Sequence, residues 1–168
     1  MKKLIGMIIP LIFVFDVSAS MADTVEIEWK NPDDYQDINP GTTQSKKTFR
    51  KRLFNTIEKS FVKNMTKMPE GHNLKVTFFD VDLAGKINHG LANEIRTIND
   101  YDFPRLHFYI ILENEKGEIL LQGEQNLKER KDKHSSFRMR GSQREFYLET
   151  MLIDKWFDQA LLPGVTNN

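Results

Sequence analysis

The chain has 168 residues, with 24 basic and 24 acidic side chains and no cysteine. Balanced charge excludes a bulk attraction to nucleic acid or to an anionic membrane. The missing thiols exclude disulfides, thiolate metal sites and a lipid anchor on cysteine.

The first 22 residues read as an export signal. Lys2 and Lys3 form a positive start, residues 4–14 are almost wholly apolar, and Ser18, Ala19, Ser20 and Ala22 are the small residues that a signal peptidase needs. Cleavage after Ala19 and cleavage after Ala22 both fit; the second is preferred because Asp23 then begins a polar terminus. A retained span needs about 20 apolar residues, and Pro10 and Asp16 interrupt this run. Removing residues 1–22 takes away Lys2, Lys3 and Asp16 and leaves 22 basic and 23 acidic residues, net −1. The expected product is a periplasmic or secreted bacterial protein, one domain over residues 23–168, with no transmembrane segment after cleavage.

Residues 24–29 alternate as a strand does, with Val25, Ile27 and Trp29 on one face. Asn31-Pro32 breaks the strand, and a turn-rich stretch runs through Asn39-Pro40-Gly41. Residues 45–67 predict a helix. Phe49, Leu53, Ile57, Phe61 and Met65 recur at four-residue steps, Phe54, Val62 and Met68 widen the stripe, and Ser45 is the candidate N-cap. Lys46, Lys47, Arg50, Lys51 and Arg52 crowd the first turns against the helix dipole, as a solvated face or an anion-facing end.

Residues 73–81 predict a second strand, with Leu74, Val76 and Phe78 on one face and Phe79 and Val81 on the other. Strand, helix and strand form a βαβ unit, which expects parallel pairing. Residues 94–98 suggest a short edge strand. Residues 106–112 and 118–127 form a hairpin about Asn114-Glu115-Lys116-Gly117, with Leu106, Phe108, Ile110 and Leu112 inward. A last helix is expected over residues 142–162, opened by a capping box of Ser142 and Glu145 and closed by Pro163-Gly164. The fold class is therefore α+β: a mixed sheet of about four strands with two long helices packed on it.

Four motifs carry a family resemblance across most of the mature chain. They are Glu28-Trp29-Lys30-Asn31-Pro32 with Tyr35, Asp37-Ile38 and Pro40; Asp80-Val81-Asp82-Leu83-Ala84-Gly85; Asp102-Phe103-Pro104-Arg105-Leu106; and Met151-Leu152-Ile153-Asp154-Lys155-Trp156-Phe157. In this order they resemble a family of uncharacterised exported bacterial proteins, a domain of unknown function. The stretch Asn88-His89-Gly90-Leu91 departs from the family pattern in having fewer glycines. The resemblance implies export and a shared fold, and it implies no activity.

Candidate chemistry falls in three places. Asp80 and Asp82, at i and i+2 on a strand end, point the same way. They suit a shared proton or a hard cation, or else turn-capping and pairing with a base such as Arg105. Asp102 and Arg105 suit an anionic ligand held by an oriented guanidinium, or an internal bridge. Residues 128–144 hold seven basic and two acidic side chains, net +5, with Phe137 and Met139 interleaved. Arg138, Arg140 and Arg144 there suit an anionic envelope component, or a solvated loop. His72, His89, His107 and His134 lack metal-ligand spacing. No nucleophile elbow, phosphate loop or dinucleotide fingerprint appears. Neither a cofactor nor a metal is expected. The leading expectation is a non-catalytic binding or assembly module of the cell envelope, taking an envelope protein or an anionic envelope component. The alternatives are a hydrolase or metal-assisted enzyme built on Asp80 and Asp82, and an oligomeric or partner-docking subunit with Trp29, Tyr35 and Phe103 as anchors.

Overall fold

A computed structural model describes residues 23–90, 92–99, 101–128 and 144–166. The export signal, Arg138, Arg140 and the cap residue Ser142 lie outside the described residues. Strand β1 (Thr24–Trp29), helix α1 (Lys46–Met65) and strand β2 (Asn73–Asp82) form the expected unit, and β1 pairs with β2 in parallel. The short strands β3 (Lys86–Asn88) and β4 (Ile95–Thr97) pair with each other in a separate small sheet. Strands β5 (Arg105–Glu113) and β6 (Ile119–Lys128) form the hairpin. Among the described residues the main sheet has four strands in the order β1-β2-β5-β6.

One face of this sheet is the core. Leu74, Val76, Phe78, Leu106, Phe108, Ile110 and Leu112 are all buried on it. Helix α1 covers the β1 side with Phe49, Leu53, Ile57, Phe61 and Met65. Each such side chain, fully buried, contributes about 1.5–3 kcal/mol of transfer free energy. Phe61 sits at the centre, edge-on to Phe78, Phe108 and Phe157 at 5.7–6.0 Å between ring centroids. Val62, expected on the stripe, is instead exposed. Ser45 caps α1 by accepting the N–H of Thr48 at 3.2 Å.

A β-bulge corrects the expected facing of β2. Register slips between Phe78 and Asp80, so that Phe78 faces Phe108 while Asp80 faces His107. The extra residue, Phe79, stands partly exposed, and Val81 is fully buried. Unbroken alternation would have sent Asp80 and Asp82 to the side of Phe78, into the core. The bulge turns both carboxylates outward.

The second helix is not a single long one. Helix α2 (Tyr147–Trp156) continues as a π-helical segment (Phe157–Leu161) and then as α3 (Leu162–Thr166). It starts later than the capping box implied: Phe146 holds the N-cap position at φ 60 with no side-chain cap, and Glu145 pairs with Arg52 instead. Pro163 and Gly164 lie inside α3 and do not end the helix. A proline ring presses on the carbonyl four residues back, and the wider π turn just before Pro163 gives it room.

Candidate functional site

The β1–α1 loop does more than cross over. Asp37 donates its N–H to Val81 O at 3.3 Å and accepts Leu83 N–H at 3.1 Å, which adds a parallel bridge beside the end of β2. The Tyr35 hydroxyl reaches Phe78 O at 3.1 Å from a buried position. Burial there, with Asp80 nearby, pushes the phenol well above its ordinary range.

On this platform two charged residues lock the Leu83-Ala84-Gly85 segment. Arg96, from β4, spreads its guanidinium over Asp37 (2.6 and 3.1 Å), Ala84 O (3.3 Å), Gly85 O (3.0 Å) and Asn39 O (3.0 Å). Its Nε is buried and has no hydrogen-bond partner. From the opposite side Glu149, in the first turn of α2, accepts the Ala84 N–H at 3.0 Å. Burial raises the Glu149 pKa; the backbone N–H groups of Ala84 and Glu149 and the charge of Arg96 pull the other way. Ala84 is thus held by its N–H and by its carbonyl.

Around this lock lies a cavity of about 310 Å³. Phe49, Leu83, Ile95, Ile98, Phe146 and Leu148 supply its apolar lining, with Thr43, Arg144 and Glu149 among its polar lining. It opens where α1 and α2 both begin, so two helix N-termini face the same region.

The expected site residues are placed as follows. Asp80 Oδ1 accepts the Gln36 N–H at 2.7 Å and so holds the β1–α1 loop. Asp82 lies 3.9 Å from Arg105 Nε, its cross-strand neighbour. Burial raises the Asp82 pKa, with Arg105 opposing and Asp37 and Asp80 adding to the shift. Neither aspartate lines the cavity. Asp102 closes the 99–102 turn by accepting from Asn99 N and Nδ2 at 2.8 and 3.1 Å. The second and third motifs therefore meet as paired strand ends, not as walls of one cleft. Arg144 does line the cavity. Of the expected anchors, Tyr35 is buried at 7% exposure, Trp29 stacks between Phe54 and Phe78 at 3.8 and 4.4 Å and is half-buried, and Phe103 is half-buried.

Arg96 and Glu149 were not singled out by motif reasoning, yet Glu149 left a signal. It precedes Ile153 and Phe157 by four and eight residues, so it is a carboxylate on the core stripe of its helix. Among the described residues, no group of three or more His, Asp or Glu side chains is placed to hold a metal ion, and no helix is long and apolar enough to cross a membrane.

No curated protein matches the chain. A crystal structure of a minor lipoprotein from Acinetobacter baumannii is similar at 11% identity, over 86% of this chain and 93% of that chain, with a TM-score of 0.32. A likeness that slight carries no argument about role. The model of a protein family of unknown function, DUF3016, matches residues 23–159, and the chain belongs to that family.

Proposed function

We propose that this protein is an exported, non-catalytic binding module of the bacterial cell envelope, and that the cavity beside Ala84 is its binding site. Export rests on the positive start, apolar run and small-residue cut of residues 1–22. The binding reading rests on one observation. Asp37 and Arg96 pair with each other, Arg96 and Glu149 bond the backbone of the 83–85 segment, and what they brace is a preformed cavity with apolar walls. Small-molecule sites have this character, at roughly 300–1,000 Å³ with few polar groups.

The hydrolase reading has less behind it. A carboxylate dyad acts on a substrate held between or beside its members. Here one Asp80 oxygen is occupied by the Gln36 N–H, and Asp82 lies beside Arg105 outside the cavity.

Thermal denaturation of the purified full chain tests the binding module. Aqueous and organic extracts of envelope are added separately. A Tm increase with either extract, lost in Ile98→Trp, supports the proposal. Ile98 is 45% exposed at the cavity wall, so the larger ring blocks the opening without disturbing the core. No Tm change with either extract would overturn it.

A further inference from the structure

The polar groups around the cavity divide into those already committed and those left over. The terminal nitrogens of Arg96 are used by Asp37, Ala84, Gly85 and Asn39. Glu149 is tied to the Ala84 N–H. Glu145 meets Arg52 with both carboxylate oxygens at 2.9 Å, and Gln44 bonds the same guanidinium. Arg144 differs. Its carbonyl accepts the Tyr147 N–H, but its guanidinium makes no hydrogen bond or ion pair among the described residues. It lines this cavity and also an adjoining groove that includes Lys59 and Lys63.

From this division we infer that the cavity takes a single-chain amphiphile with an anionic head, its carboxylate or phosphate on Arg144 and its hydrocarbon against Phe49, Leu83, Ile98 and Leu148. The inference rests on the binding-module reading and names the ligand class for the same site. Three features support it. An arginine presents a fork of donors that matches carboxylate and phosphate oxygens. The first turns of α1 and α2 border the cavity, so their dipoles add positive potential where the head would lie. The volume, about 310 Å³, is at the small end for ligand sites and suits one short chain, not a two-tailed lipid. The two acids at the cavity do not oppose an anion strongly. Arg52 pairs with Glu145, and Glu149 is turned to the Ala84 N–H with Arg96 close by.

Isothermal titration of the purified full chain tests this with four probes below their critical micelle concentrations: decanoate, decyl phosphate, decanol and acetate. Both anionic amphiphiles should bind at least tenfold more tightly than decanol, and acetate should not bind measurably. Arg144→Gln should reduce both anions to the level of decanol, and Ile98→Gln should weaken all three ten-carbon probes. A carboxylate source and a phosphate source are told apart by which anion binds more tightly; both satisfy the inference. Equal binding of decanol and decanoate, or an unchanged Arg144→Gln, would overturn the anionic head while leaving the cavity as a binding site. If no amphiphile binds but an envelope extract still raises Tm, the ligand class is wrong and the module survives. If neither probe nor extract acts, both proposals fall. Circular dichroism of each variant checks that it is folded.

Discussion

Glu149 Oε1 accepts the backbone N–H of Ala84 at 3.0 Å, across 65 residues of sequence. The side chain is 3% exposed. One carboxyl group thereby fixes the start of α2 to the segment that leaves β2, and its protonation is coupled to folding.

Burial raises the Glu149 pKa above its ordinary 4.5. An acid shifted upward by folding lends its stability below the ordinary value, and loses it as pH rises through the folded value. Glu149→Gln keeps an oxygen for the Ala84 N–H and cannot ionise. Its Tm relative to wild type should therefore climb as pH is raised from 4 to 8 and be flat below 4. A pH-independent difference would contradict the buried-carboxyl account. Glu149→Leu leaves the Ala84 N–H unpaired and should cost about 1–3 kcal/mol at pH 4, a deficit that shrinks as pH rises because the wild type then loses the contribution of its buried acid.

Asp154, further along α2, has the opposite sign. Burial alone would raise its pKa, but hydrogen bonds from Asn64, Lys63 and Ser60, with the charge of Lys63, bring it below the ordinary 3.8. Its stability is present above that value and is lost as pH falls through the lower folded value. Asp154→Asn should cost about 1 kcal/mol at pH 6, discounted for solvent screening. The deficit should shrink at pH 3. Urea denaturation at the two pH values decides it.

The Arg96 fork is the test of the lock. Arg96→Lys keeps a charge for Asp37 but cannot span Asp37, Asn39, Ala84 and Gly85 together. It should cost about 2 kcal/mol, less than the 3–5 of a fully buried broken pair. Amide exchange should quicken in β3 and β4 ahead of the main sheet. Uniform exchange would mean that Arg96 does not hold the small sheet in place.

Two glycines with similar φ separate strain from crowding. Gly85 has φ +86, and a Cβ there would lie 2.3 Å from Thr97 O and 2.8 Å from Ile98 Cγ1. Gly117 has φ +75 with nothing within 4 Å. Alanine at either costs about 1–2 kcal/mol of left-handed strain. Gly85→Ala should add roughly 1–3 kcal/mol of overpacking and loosen the cavity wall at Ile98. Equal Tm losses for the two variants would mean that the close approach at Gly85 relaxes freely.

Local pattern made the main elements legible before any coordinates. The four-residue recurrence from Phe49 to Met65 and the alternation from Leu106 to Leu112 reflect helix and strand geometry, and both emerged with little change. What stayed hidden depends on partners distant in sequence. The bulge at Phe79 exists only relative to β5, so β2 alone read as unbroken alternation. Strands of three residues, as in β3 and β4, are too short to show a period. The late start of α2 comes with Phe146 in a left-handed conformation and with Glu145 paired to Arg52, 93 residues away. The cavity is assembled from two helix starts, strand β4 and several loops, so no single stretch announces it. Its traces in the sequence were scattered: Arg144 in the basic stretch, Leu83 and Ala84 in the second motif, and the carboxylate of Glu149 on an apolar stripe.

The parallel pairing of β1 with β2 also has a history in time. Thr24 meets Asn73, 49 residues downstream, and among the described residues β1 pairs with no other strand. Closing a loop of that length costs on the order of 3–4 kcal/mol of chain entropy. The β5–β6 hairpin closes a far shorter loop, so β1 is expected to be the last strand of the main sheet to dock. Until it does, the edge of β2 stands open to any extended segment nearby. Pulsed amide exchange during refolding would register this as late protection of residues 24–29, and early protection there would refute it.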